Sequence, residues 1–173
     1  MEPIEIIRLI LIIAVIIYLA FIIAMISLLF RWRKEIDRNE KAIRVLIQQR
    51  VDIHKLFIIE CHQIGIDFAN NKQLANIEVL ETIPVSKLAD FYILIKKYDK
   101  DMREHALLST NGSVYLQNLT IQSLLTSLDE NEKNFRRKAA SYNRNVATYN
   151  YWSENIILIL ISKLFHHHSR DKI

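Results

Sequence analysis

The residues whose types could support chemistry fall into three groups. His166, His167 and His168 form a tract of metal-binding type, but consecutive helical positions are about 100° apart, so adjacent imidazoles fan outward instead of converging on a tetrahedral ion. A solvated tail is the expectation there. His54 and Cys61 stand seven residues apart, with His62 beside them, on what reads as one helix. A nucleophile and a base on one face could begin a covalent catalyst, yet no oxyanion donor or third orienting group accompanies them, and no such dyad is expected. Cys61 is the single cysteine, which excludes an internal disulfide and a cysteine-based zinc site. The third group is Arg50 and Glu132, opposite charges that each interrupt an apolar helical stripe. A charge buried alone is costly, so either the two pair with each other or Glu132 sits partly solvated at a frayed helix start. No catalytic residue, cofactor or metal ligand follows from these groups, and the chain reads as a non-enzyme.

The elements that must position these groups are helices. Two glycines and two prolines occur in 173 residues, far below the usual shares of about 7 % and 5 %, and helix formers fill most other positions. The expected fold is all-α: a single amino-terminal transmembrane helix continuing into an antiparallel four-helix-type bundle. Leu9 to Phe30 runs 22 residues without a charge. At about 1.5 Å per residue this makes a helix of about 33 Å, enough to cross a hydrocarbon core about 30 Å thick. The expected organisation is an extracytoplasmic tail at 1–8, a span at 9–30, a helical bundle domain at 31–165 and a polar tail at 166–173.

Charge gives the span a direction. Met1 to Arg8 is acidic to neutral and lacks the basic start and small-residue cleavage site of a secretory signal, so the segment reads as an uncleaved anchor. Arg31, Arg33, Lys34, Arg38, Lys41 and Arg44 follow the span, against Arg8 alone before it. The positive-inside rule then places the amino terminus outside and the carboxyl-terminal domain in the cytoplasm, with Trp32 at the interface. The net charge of +4 and pI near 9.2 owe much to these residues, which favours anionic lipid headgroups as partner over nucleic acid. Inside the span, Ala20 and Ala24 form a small-xxx-small pair and Tyr18 puts a hydroxyl near the midplane. A second helix approaching this face is one reading, and ordinary lipid exposure is the other. On a cytoplasmic domain the sequons at Asn111 and Asn118 have no consequence.

Periodicity then places the helices. From Ile36 the first helix is expected to run to Asn70 and Asn71, with a stripe of Ile36, Ile43, Leu46, Ile53, Phe57 and Ile64 that Arg50 and Glu60 interrupt. Leu74, Ile77 and Leu80 suggest a short helix within 72–83, ended by Pro84. A second long helix, from about Val85 to Leu108, carries the stripe Leu88, Phe91, Ile95, Tyr98 and Met102, with Lys96, Lys97, Asp99, Lys100 and Asp101 on its wet face. Residues 109–113 form the clearest loop, and one or two helices follow to about Phe165. In the last of these, Leu128, Phe135, Tyr142, Tyr149 and Ile156 recur every seven residues, with Leu125, Ala139, Val146 and Leu160 at complementary positions. This is a coiled-coil-like seam, and Glu132 falls in it as well. The apolar run from Ile156 to Ile161 is too short to span and reads as core, or as a surface that docks on the bilayer, a second copy or a partner.

Residues 142–150 read Tyr-Asn-Arg-Asn-Val-Ala-Thr-Tyr-Asn. This Y-N-x-x-V-x-x-Y-N pattern resembles the signature of the LemA family of bacterial membrane-anchored proteins. The amino-terminal span agrees with it, as do Arg50-Val51-Asp52-Ile53, similar to the family's R-x-D-L element, and Glu132 ten residues before Tyr142. Lys55-Leu56 replace the family's Pro-Asn, Ala139 stands where Arg is usual, and no Phe-Pro follows near Trp152-Ser153, so the chain looks like a divergent member. The resemblance implies long antiparallel helices on an anchor in the bacterial inner membrane, with no established catalytic activity. It marks Arg50, Asp52, Glu132, Tyr142, Asn143, Val146, Tyr149 and Asn150 as candidate residues. Physically, Tyr142, Val146 and Tyr149 share one helix face and supply apolar area with hydroxyls at its edge. Asn143 and Asn150, one heptad apart beside them, suit bonding across to a neighbouring helix or loop; a shallow polar groove for a partner peptide or ligand is the alternative. The expected function is a membrane-anchored scaffold or adaptor that presents its bundle to other membrane proteins or to itself. An accessory or regulator of a membrane protease or envelope-stress system is the alternative, and a homo-oligomer that organises membrane is a third.

Overall fold

The computed structural model describes residues 3–67, 83–108, 112–154 and 169–173. Among them every regular element is a helix: α1 (Pro3–Gln63), α2 (Val85–Leu108), α3 (Gly112–Gln117) and α4 (Leu119–Ser153). Pro3 opens α1, where its missing N–H is one of the donors a first turn leaves unused. No further proline and no glycine interrupts the 61 residues of that helix.

Helix α1 stops at Gln63, short of the expected fray at Asn70 and Asn71. Gly65 adopts a φ of 82°, the left-handed conformation that glycine reaches without a Cβ penalty. Ile66 N–H then bonds back to the Cys61 carbonyl at 2.9 Å and Gly65 N–H to that of His62 at 3.1 Å, the paired bonds of a Schellman cap. Ile66 packs in the same apolar cluster as Cys61, the contact that usually accompanies this cap. The expected short helix within 72–83 lies almost wholly outside the described residues. Of the expected loop at 109–113, Gly112 and Ser113 already belong to α3. Asn118 separates α3 from α4 and caps the latter, its Oδ1 accepting the Ile121 N–H at 3.0 Å.

The chain divides into two compact units. One comprises Met1–Asp37 and Asn145–Arg170. In it the apolar start of α1 is bare: Ile10, Ile17 and Ile23 are 60 %, 64 % and 65 % exposed. Only 6 % of its most apolar window is buried, whereas a core helix of a water-soluble protein would hide most of such a surface. One helix of this chain is therefore long and apolar enough to cross a membrane. Tyr18, Ala20 and Ala24 are exposed along it. Further on, Met25, Leu29 and Ile36 are buried, as are Val146, Tyr149 and Ser153 of α4.

The other unit comprises Arg38–Arg144 and Asp171–Ile173. Here α1 buries Ile43, Ile47, Arg50, His54, Phe57 and Cys61, alternating steps of four and three. The expected stripe chose Leu46 and Ile53, which are only half-buried. Helix α2 shows the same correction. It buries Leu88, Tyr92, Ile95, Asp99, Met102 and Ala106, so Phe91 and Tyr98 are rotated to the margin and Asp99 is turned inward from its expected place on the wet face. In α4, Ile121, Leu128, Phe135 and Tyr142 are buried every seven residues. Ile156 and Leu160 lie outside the described residues. Phe57, Cys61, Ile66, Met102, Ala106 and Ile121 form one apolar cluster of this unit, with Leu124 and Leu125 against it.

Candidate functional site

The inward rotation of α2 follows from a charge. Arg50 is 2 % exposed on the buried stripe of α1, and a guanidinium so deep needs a carboxylate and filled donor positions. Asp99 supplies the carboxylate: its Oδ2 accepts from Arg50 Nη2, and its Oδ1 meets His54 Nε2. The remaining donor arm, Arg50 Nη1, bonds the Tyr92 hydroxyl at 3.1 Å, Asn131 Oδ1 at 3.3 Å and the Leu128 carbonyl at 3.4 Å. The guanidinium carbon stands 5.2 Å from the Tyr92 ring centre, within cation–π range. That ring lies flat on Phe135, centroids 3.4 Å apart. Tyr92 thus fills a core position with its ring and donates a hydrogen bond from its hydroxyl outward to Glu132 Oε2.

Glu132 closes the network at its wet edge. It stands 3.5 Å from Arg50, but its other oxygen takes Lys96 at 2.8 Å and Arg136 at 2.6 Å. The Arg50 to Glu132 pair is present, and it is the outer, shared member of a larger set whose inner member is Asp99. Burial raises the Glu132 pKa, and the bonds from Lys96, Tyr92 and Arg136 outweigh it, leaving the group at about 2. Burial likewise opposes ionisation of Asp99, and His54 and Arg50 together still hold it below the ordinary carboxylate value.

Both carboxylates are depressed, so each adds stability above its ordinary pKa that is lost as pH falls toward its folded value. Unfolding midpoints in urea should therefore be flat above about pH 4.5 and drop between there and about pH 2. Glu132→Gln should flatten this slope, and an unchanged slope would remove Glu132 from the account.

The network sets Arg50, Lys96 and Arg136 against Asp99 and Glu132. Among the described residues, two of its buried atoms, Arg50 Nε and His54 Nδ1, have no hydrogen-bond partner. With its hydrogen on Nε2, His54 donates to Asp99, and Nδ1 is then an acceptor, the less costly atom to leave unpaired. An open groove of about 460 Å³ adjoins the wet edge, flanked by Lys96, Lys100, Arg103 and Arg136 and by Asp129 and Glu132. It presents ion pairs and no nucleophile. Cys61 sits fully buried in the apolar cluster, its thiol pushed up to about 12 by burial and by Glu60, so it is inert toward His54 or reagents. Among the described residues no cluster of His, Cys, Asp and Glu could hold a metal ion. His166, His167 and His168 lie outside the described residues.

The two arms of the Arg50-x-Asp52 element part company. Positions two apart on a helix face away from each other, and Asp52 is exposed, taking a bond from Gln48 at 2.9 Å. Tyr142, Val146 and Tyr149 are buried, while Asn143 and Asn150 are half-exposed beside them. Within the first unit, Asn150 Nδ2 donates to the Arg170 carbonyl and its Oδ1 accepts the Arg170 N–H, each at 2.9 Å. The Arg170 guanidinium meets Asp37 at 3.1 Å. Within the second, Asn143 donates to the Ile173 carbonyl and accepts the Ile173 N–H at 2.8 Å, and the Tyr142 hydroxyl donates to the Asp171 carbonyl at 3.0 Å.

Sequence reasoning missed Asp99, Tyr92 and Asn131, and weighed His54 only as a partner of Cys61, not of Asp99. The signal was available: Leu88, Tyr92, Ile95, Asp99 and Met102 step by four and three, but Phe91 and Tyr98 offered a more apolar stripe next to it. Comparison of the chain with family models, with curated proteins and with solved structures finds no match.

Proposed function

We propose that this chain is a non-enzymatic, membrane-anchored scaffold or adaptor of the LemA type. Residues 9–30 cross the bacterial inner membrane, with 1–8 outside and a four-helix-type bundle, 31–165, presented on the cytoplasmic side to other membrane proteins. The observation that carries this reading is α1: an exposed apolar start and a charged, polar-cored continuation belong to one helix from Pro3 to Gln63. The following cations set the side and meet anionic headgroups; Arg31, Lys34 and Lys41 are exposed, while Arg44 is committed to Glu40 and the Ile83 carbonyl.

The mechanism is presentation. The span fixes the helices at the membrane surface, and their outer faces engage a partner. A second reading, self-association that organises membrane, draws on the apolar exposure of Leu107, Leu108, Val114 and Leu119 and on exposed Ala20 and Ala24. Purification from native membranes in mild detergent discriminates between them. A stable heterologous membrane protein supports the adaptor reading, and a protease among them supports the accessory role. Large homo-assemblies that deform liposomes support the second reading, and a lone monomer with neither behaviour counts against all three. Sidedness has a clean probe because Cys61 is buried and unreactive: an impermeant maleimide should not label Ser113→Cys in intact spheroplasts and should label it after lysis. Labelling before lysis would invert the topology.

A further inference from the structure

Helix α4 has a groove on each side, and the two differ in how their charges are spent. On the side of α2, Lys96 and Arg136 are bound to Glu132, Lys100 faces Glu104 at 3.6 Å and Arg103 meets Asp129 at 3.2 Å. That groove neutralises itself. On the side of α1, two adjoining hollows of about 360 and 340 Å³ share Leu46, Gln49 and Asn134 and make one trough. It lies wholly within the Arg38–Arg144 unit. Among the described residues, none of Asp52, Glu130, Arg137 and Lys138 on its walls forms an ion pair.

The trough is built from positions left over by the core. Asn131 fixes its floor: Nδ2 donates to the Leu46 carbonyl at 2.9 Å, and Oδ1 accepts from Arg50. Leu46 and Ile53, half-buried beside the core stripe, line it, and Val45 and Leu56 rise from its edge at 55 % and 53 % exposed. On the facing wall Ser127, Glu130, Asn134 and Arg137 step by three and four along α4. Two walls of helical period fit the side-chain ridges of a third helix. An extended segment would lay unpaired backbone groups over Val45 and Leu56, because the walls' own donors and acceptors are consumed within their helices. A helix arrives with its backbone already bonded. From Ala42 to Leu56 the trough follows about 21 Å of α1, the length of about 14 helical residues.

Its charges have an order. Arg137 and Lys138 flank the end at Ala42, and Asp52 and Glu130 flank the end at Leu56. We propose that this trough docks an amphipathic helix of another protein, apolar on its inward face, acidic at the end over Arg137 and Lys138 and basic at the end over Asp52 and Glu130. A second copy fits less well. Anchored in the same membrane, it would meet the first about a two-fold axis with like ends together, acid on acid and base on base. That exclusion rests on the anchored reading above; the trough's preference for such a helix does not.

The probe is the peptide fluorescein-EEALQQLLQQLAQLKK-amide, added to the full chain in detergent and followed by anisotropy. Half-saturation should fall at about 10–100 µM. The peptide with lysine at both ends, KKALQQLLQQLAQLKK, carries the same apolar stripe and should bind at least fivefold more weakly. Arg137→Glu with Lys138→Glu makes both ends of the trough acidic and should reverse that order. No saturation at 1 mM, equal affinities for the two peptides, or an order unchanged by the double substitution would each overturn the proposal. A chain that light scattering finds paired in detergent, and that the peptide separates, would put a second copy in the trough and overturn it as well. Both substituted positions are exposed; should the variant fail to fold, the two peptides on the unsubstituted chain still decide the matter. A failed peptide test leaves the adaptor reading to its own co-purification result, since partners have other faces to engage.

Discussion

Asp99→Ala should destabilise the Arg38–Arg144 unit by about 3–5 kcal/mol, the cost of leaving a buried guanidinium without its carboxylate. Arg50 is 2 % exposed, so it recovers little hydration when Asp99 is removed. His54 loses its bond to Asp99 in the same substitution. The remaining anion, Glu132, stands 3.5 Å away and is already shared with Lys96 and Arg136, so it offsets little. Arg50→Met should also destabilise, because Asp99 is then buried against His54 alone. The pair Arg50→Met with Asp99→Leu should cost far less than the two single effects added, since apolar groups of similar volume replace both charges. Urea unfolding of the full chain in detergent, followed by near-ultraviolet circular dichroism, measures all three. Strict additivity would show that Arg50 and Asp99 do not act as a unit. Glu132→Gln belongs to the same series with a smaller effect, about 1 kcal/mol, because half of its bonds go to exposed cations. Combined with Arg50→Met it too should cost less than the sum.

If residues 9–30 anchor the chain as proposed, two carboxylates placed there should remove it from the membrane. Ile12 and Ile16 are 57 % and 59 % exposed and lie one turn apart on one face. Exchanging isoleucine for aspartate at the centre of a span costs about 3–4 kcal/mol per site on insertion scales, about 6–8 kcal/mol for the pair, enough to reverse insertion. Ile12→Asp with Ile16→Asp should therefore leave the carbonate-resistant membrane pellet. The same exchange at Ile93 and Leu94, 65 % and 48 % exposed on α2, should leave partition unchanged. Retention of the first variant in the pellet would mean that Leu9 to Phe30 is not the anchor.

The features legible in the sequence were those written in period and length. The uncharged run at 9–30, the unbroken helix after it and the seven-residue recurrence through Leu128, Phe135 and Tyr142 all follow from composition along one chain segment. The end of α1 was legible too, at Gly65, but it is signalled by one residue against a helical pattern that continues through Ile64, and the pattern was followed instead. The register of α2 was lost because local hydrophobicity ranks Phe91 above Tyr92 and Tyr98 above Asp99. The choice between them is made on α1, where Arg50 demands an anion, and only a question about that charge would have found Asp99. The asparagine pair shows another limit. Its spacing of seven is visible, but a carboxamide that bonds backbone leaves no mark on the sequence of its partner, so nothing in Ser-Arg-Asp-Lys-Ile announces that it is held.

The polar core also sets an order in time. Arg50 finds Asp99 across 49 residues and Asn131 across 81, so during synthesis it is made well before either. At about 5–20 residues per second, Arg50 waits roughly 4–16 s for Asn131 to follow it. Through that interval its hydration resists burial of the stripe on α1. The buried stripe of α1 is completed only when α2 and α4 have been made.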